Sequence, residues 1–78
     1  MKSKYYINLF CENIKYLRKK HNLSKAEMAK RLNVGIGSIT SIENGILPPR
    51  LSARVLITIE ESFNVSASKI LSVNLSES

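Results

Sequence analysis

The stretch Leu23-Ser24-Lys25-Ala26-Glu27-Met28-Ala29-Lys30-Arg31-Leu32-Asn33-Val34-Gly35-Ile36-Gly37-Ser38-Ile39-Thr40-Ser41-Ile42-Glu43-Asn44-Gly45 decides how the chain folds. Ser24 followed three residues later by Glu27 is a capping box: the hydroxyl accepts from a first-turn amide while the carboxylate reaches back to the cap. Met28, Ala29 and Leu32 then fall on one helical face, with Leu23 as a staple just before the cap. A short helix therefore runs from about Lys25 to Leu32. Asn33-Val34-Gly35 makes a tight turn. A second short helix carries Ile39 and Ile42 inward and stops at Asn44-Gly45, where glycine supplies the left-handed conformation.

Upstream, Ile7, Phe10, Ile14 and Leu17 recur at helical spacing and predict a first helix from about Tyr6 to His21, with Asn22 as its stop. Lys19, Lys20 and His21 fall in its last turn, where cations complement the carbonyl end. Downstream, Pro48-Pro49 cannot continue a helix and stiffens the connection from Ile46 to Leu51. Ser52 caps a fourth helix to about Phe63, with Ala53, Leu56, Ile59 and Phe63 on one face. Within it, Val55-Leu56-Ile57-Thr58-Ile59 is a β-branched run that reads as a strand in isolation. Helix is preferred, because a lone strand in a helical chain has nothing to pair with. Ser66 caps a last short helix holding Ile70 and Leu71, and the tail Ser72 to Ser78 reads as frayed. The expectation is one all-α domain of five helices over residues 1–78. Its motif core lies at about 24–45, between an N-terminal extension (1–11) and a C-terminal tail (72–78).

Composition narrows the function classes. A domain of this size buries only about 60% of the surface its unfolded chain exposes, so the core must be compact and local. Apolar residues make up 44% of the 78, enough for a globular core. No apolar run approaches the roughly 20 residues of a spanning helix, and none resembles a signal-peptide core, which points to the cytoplasm and to no membrane. One cysteine, Cys11, makes no internal disulfide, and with the one histidine, His21, it makes no zinc cage, so no metal or cofactor is expected. Glu60 and Glu61 are adjacent on a helix and point apart. With no Ser/His/Asp set and no phosphate loop, an enzyme is not expected either. Cys11 reads as a small packing residue and His21 as a helix-end residue. Tyr5, Tyr6 and Tyr16 read as a partly exposed core edge in preference to a stacking face for single-stranded nucleic acid.

Twelve Lys/Arg against six Asp/Glu give +6 and a pI near 9.8. From Met1 to Arg31 nine basic residues face two acids, or +7; from Leu32 to Ser78 three face four, or −1. Such a basic half favours a polyanionic partner, although a solvated surface is the plainer reading and charge alone does not choose. Short helix, tight turn, short helix inside a basic helical domain is the helix-turn-helix arrangement. Ile14-Lys15-Tyr16-Leu17-Arg18-Lys19-Lys20, then Leu23 to Ala29, then Ser38 to Gly45 resemble the phage-repressor (Cro/CI, or Xre) helix-turn-helix family, over roughly Glu12 to Leu71. Ala29 inside the second helix, Val34 in the turn and the Ile42-Glu43-Asn44-Gly45 ending fit in register. Ala29 also has a physical reason, since two helices cross closely there and a larger side chain would force them apart. The resemblance implies a compact five-helix, lambda-repressor-like DNA-binding domain whose third helix enters the major groove of double-stranded DNA.

Carried over position by position, the resemblance implies a site. Lys25 matches a phosphate-contacting position usually held by Gln, and lysine keeps that contact as a point charge. Ile36, Gly37, Ser38, Thr40 and Ser41 occupy the exposed face of the third helix as base-readout candidates. Asn44 matches a phosphate-contacting position, Arg50 reaches backbone or minor groove, and Arg18 and Glu43 match a salt-bridged pair. There are departures. Where Ile36, Gly37 and Ser41 stand, the family commonly places Gln, Arg, Asn or Lys for bidentate base contacts. The connection from Gly45 to Ser52 is two or three residues longer than usual. Ile36 offers a thymine methyl an apolar contact; alternatively it is a half-buried staple onto the second helix, with Gly35 and Gly37 shaping the turn. The functional expectation is a cytoplasmic, cofactor-free transcriptional regulator of bacterial or phage origin that binds operator DNA as a homodimer. The extra apolar surface of the fourth helix and of Ile70, Leu71, Val73 and Leu75 would serve the dimer. The alternative is a protein-docking module of the same fold, an antitoxin-like or co-regulator partner with weak or no specific readout.

Overall fold

Five helices, α1 (Lys2–Lys20), α2 (Lys25–Leu32), α3 (Ile36–Glu43), α4 (Ala53–Phe63) and α5 (Ala67–Ser72), are followed by a single 3-10 turn, Leu75–Glu77. The computed structural model describes residues 2–48 and 52–77, with side chains from residue 4 onward. No strand occurs among the described residues, and no helix of theirs is long and apolar enough to cross a membrane. The Val55–Ile59 run is helical, because the apolar side of α4 packs on the core and tertiary burial outweighs β-propensity.

The helices end where left-handed residues turn the chain. Asn22 (φ 56°) and Asn33 (φ 59°) close α1 and α2, and Gly45 (φ 83°) closes α3. Each is accompanied by a pair of reverse bonds, of which Leu23 N–H to Arg18 O (2.9 Å), Val34 N–H to Ala29 O (2.9 Å) and Ile46 N–H to Ser41 O (2.9 Å) span the greater number of residues. These satisfy carbonyls that the helix itself leaves unpaired. The turn between α2 and α3 is thus shaped by Asn33 and not by a glycine. Gly35 is extended (φ −75°, ψ 155°) and caps α3. At the other end of α2 the Ser24–Glu27 capping box is complete: Glu27 N–H donates to Ser24 Oγ (3.0 Å) and Ser24 N–H donates to Glu27 Oε1 (2.7 Å). The bond from the Ser24 amide holds the Glu27 carboxyl below its ordinary range. A depressed carboxyl stabilises the folded state at neutral pH and loses that contribution as pH falls through its lowered value.

The core gathers one face of every helix. Ile14 and Leu17 of α1 meet Met28, Ala29 and Leu32 of α2, Ile39 and Ile42 of α3, Val55, Ile59 and Phe63 of α4 and Ile70 of α5. Several sequence expectations shift. α1 starts at Lys2, four residues earlier than expected, because Leu9, Phe10 and Cys11 bury their side chains and carry the helix outward. On α4 the inward residue of the first turn is Val55, while Ala53 is exposed; Ser52 takes the cap position without a side-chain cap bond. Leu71 faces outward. Cys11 is buried, and that burial pushes its thiol pKa up, so it packs rather than reacts.

The tail is held, not frayed, by a residue the apolar pattern did not flag. Asn13 lies on the inner side of α1 with only 1% of its surface exposed. Its Nδ2 donates to Ile70 O and Val73 O, both at 2.7 Å, and its Oδ1 accepts from Leu75 N–H at 3.0 Å. One amide therefore caps α5 and fixes the 3-10 turn against α1. Truncation leaves these buried groups without partners, at about 1–3 kcal/mol. Asn13→Ala is expected to lower Tm by roughly 4–8 °C for each kcal/mol lost, and to accelerate amide exchange at Leu75 far more than at Ile59. Unchanged exchange at Leu75 would show that the tail is held by packing alone.

Candidate nucleic-acid interface

The placement of α3 begins with Arg18. Its Nε donates to Glu43 Oε2 (2.5 Å) and its Nη2 to Glu43 Oε1 (3.1 Å), a two-pronged pair that joins α1 to the end of α3. The remaining nitrogen, Nη1, donates to Leu23 O (2.9 Å) in the turn before α2. The side chains are 15% and 6% exposed, so the pair is shielded. The hydrogen bonds to Glu43 push the guanidinium pKa further up. A planar fork of this kind fixes orientation as well as distance.

Held this way, α3 has two unlike sides. Ile39 and Ile42 are enclosed, and Glu43 is turned to Arg18. Ile36, Gly37, Thr40 and Asn44 are exposed, and Ser41 is half-buried at the edge. At 3.6 residues per turn these five make one stripe. Ser38 falls outside it: half-buried, it lines a hollow of about 290 Å³ with Gly35, Val34, the α4 cap Ser52 and Arg54 of α4. Thr40 Oγ1 donates to Ile36 O (3.1 Å), which leaves its methyl and its lone pairs for an outside partner. Ile36 is 54% exposed, so it is no staple onto α2; half-buried Val34 packs there instead. Neither Gly35, the cap of α3, nor Gly37 within it is required to be glycine by crowding or by its backbone conformation. A Cβ on Gly35 or Gly37 would meet nothing within 4 Å, and neither has a left-handed φ.

The outer stripe carries no charge, and the cations lie on other elements. Lys25, the first residue of α2, is exposed. Arg31 is applied to the Phe63 ring (5.7 Å) and Lys20 to the Tyr16 ring (5.8 Å), which commits two other cations to aromatic faces. His21 also lies against Phe63, at 5.0 Å. Tyr5 and Tyr6 pack edge to face (5.3 Å), apart from Tyr16 with its lysine, so the tyrosines form no common platform. Arg50 lies outside the described residues. Arg54, beside Gly35 and Ser38, was not flagged by the sequence, because a cation in the first turn of a helix opposes its dipole and gives no pattern of its own. Among the described residues no group of three or more His, Cys, Asp or Glu could hold a metal ion.

Residues 14–70 match the model of a family described as helix-turn-helix. No curated protein and no solved structure matches the chain.

Because Arg18 and Glu43 are mutually shielded, removing either leaves a charge short of its partner. Glu43→Ala is expected to cost about 2–3 kcal/mol, less than a fully buried pair because some water reaches Arg18. Arg18→Ala combined with Glu43→Ala should cost clearly less than the sum of the two. Denaturant midpoints of the four proteins check this, and strictly additive losses would show that the two residues are not energetically coupled.

Proposed function

Because the chain belongs to the helix-turn-helix family of the phage-repressor type, we propose that it is a transcriptional regulator that occupies operator DNA through α3. The observation that carries this reading is the two-sided build of α3: an inner face locked by Ile39, Ile42 and the Arg18 pair, and an outer stripe left open to solvent. In this reading Lys25 and Asn44 meet phosphates and set the register, which carries no sequence information itself. Ile36, Gly37, Thr40 and Ser41 then face the base edges. Arg50 adds a backbone or minor-groove contact. Ser38, turned to the hollow beside α4, supports the turn and touches DNA only at its rim.

The readout follows from what these side chains lack. None is long and polar, so bidentate pairing with guanine or adenine is not available to them. Ile36 presents an apolar surface, and the one apolar feature of the major-groove edge is the thymine methyl. Gly37 beside it lets backbone come close. Affinity then rests on phosphates, and specificity on shape and on thymine positions.

A second copy of the chain supplies the rest of the contact. Tyr6, Ile7, Phe10, Leu47, Leu56 and Leu71 line a wholly apolar hollow of about 130 Å³. Ile57 (53% exposed) and Val73 (37%) add apolar surface on α4 and after α5. Covering that face with its symmetry mate gives a dimer whose two α3 helices address half-sites about one helical turn apart. The protein works in the cytoplasm. The protein-docking alternative is favoured by one observation, the uncharged outer stripe of α3.

Two measurements separate the readings. Fluorescence anisotropy on a labelled duplex, repeated from about 50 to 200 mM salt, is expected to show log K falling with a slope of about −0.9 per phosphate neutralised. Lys25→Ala should make that slope shallower by about one. A flat salt response transfers the assignment to protein docking. In a selection from random duplexes, Ile36→Ala is expected to keep the wild-type Tm and to lose preference at one A·T pair. An unchanged consensus would move base readout to Thr40 and Ser41.

A further inference from the structure

We infer that α1 extends the DNA-binding surface beyond the family-matched region, through a phosphate-contacting strip formed by Lys4 and Asn8; the inference rests on the DNA-binding reading above. The match begins at residue 14, whereas α1 runs unbroken from Lys2. The extra turns are a fixed part of the domain, because Leu9, Phe10 and Cys11 are at most 8% exposed on their inner side. Their outer side presents Lys4 and Asn8, both exposed and one helical turn apart. Side chains four residues apart on a helix are neighbours, at about 5–6 Å between Cβ atoms.

Gly45 locates the strip. A Cβ built on Gly45 would lie 3.8 Å from Asn8 Oδ1, so the Asn8 amide rests against the turn that ends α3. Asn44, the phosphate candidate at that end, is the adjacent residue and is exposed. A phosphate that meets Asn44 would therefore lie near Asn8, with Lys4 one helical turn further along α1. The chemistry suits it: Asn8 offers two amide hydrogens and Lys4 an ammonium with three, all donors to phosphate oxygen. The first acidic residue of the chain, Glu12, comes one turn after Asn8 and bounds the strip. A side chain on Gly45 would make only an ordinary contact with Asn8, so it is the left-handed φ of 83° that calls for glycine there.

The test uses the full chain and a labelled mixed-sequence duplex, with circular dichroism melting to confirm that each exposed variant folds. Lys4→Ala is expected to reduce the salt slope by about 0.9, one phosphate's share. Asn8→Asp places a like charge against the phosphate and should weaken binding roughly tenfold, the scale of a hydrogen bond to a charged group. Lys69→Ala, which removes the same charge from α5, should leave the slope where it was. Wild-type behaviour of Lys4→Ala and Asn8→Asp, with a normal loss for Lys25→Ala, overturns the strip and leaves the DNA reading intact. An equal effect of Lys69→Ala overturns it too, by showing that net charge and not position matters. A wild type with no salt-dependent binding removes the DNA reading and the strip together.

Discussion

The guanidinium of Arg18 is the constraint on which the arrangement of this domain depends. It is a rigid plane that meets the Glu43 carboxylate on one side and the Leu23 carbonyl on another, so a helix, a turn and a second helix are referred to one group. The apolar core decides that α3 packs, but apolar contact is non-directional and does not by itself fix the angle of an eight-residue helix. The fork adds that direction. It also neutralises the one acid of α3.

Much of the fold was legible because it is written in local signals. The capping box at Ser24–Glu27, the spacing of Met28, Ala29 and Leu32, and the glycine after Asn44 each have an immediate physical meaning, and α2 and the end of α3 follow from them. What escaped has a common cause. Asn13 looks like any polar residue of an amphipathic helix, and its burial is set by partners 57 to 62 residues away. The left-handed role of Asn33 was hidden by the neighbouring glycine, the more permissive residue. Val55 and Ala53 exchange inner and outer positions because both are apolar at the start of a short helix, where period gives little phase information. The site was legible in outline for the same reason as the fold. Ser38 lies off the stripe through a rotation of one position, and the nearness of Asn8 to the Gly45 turn is set by a residue far along the chain.

The outer stripe of α3 and its flanks divide their work. Long cationic side chains on α3 would raise affinity for any duplex, and long amides would tie it to particular bases. Small and apolar residues do neither, so in the proposed reading the surface fits by shape while the cations of α1 and α2 attract the duplex. Association driven by such flanking charge is fast, tolerant of sequence and sensitive to ionic strength.

The Asn13 amide has a consequence for how the domain comes apart. By tying residue 13 to residues 70, 73 and 75 it closes nearly the whole chain into one loop. A short terminal helix with one fully buried apolar residue would ordinarily be a weakly protected subunit of the structure, opening alone many times for each global event. Here, releasing α5 exposes the interior of α1, where Ile14 and Leu17 support α2 and α3. Closing so long a loop costs the unfolded chain more entropy than a local contact does, although that cost grows only slowly with length. The last helix is thereby coupled to the first, and opening tends toward a single all-or-none event rather than progressive fraying from the carboxyl end.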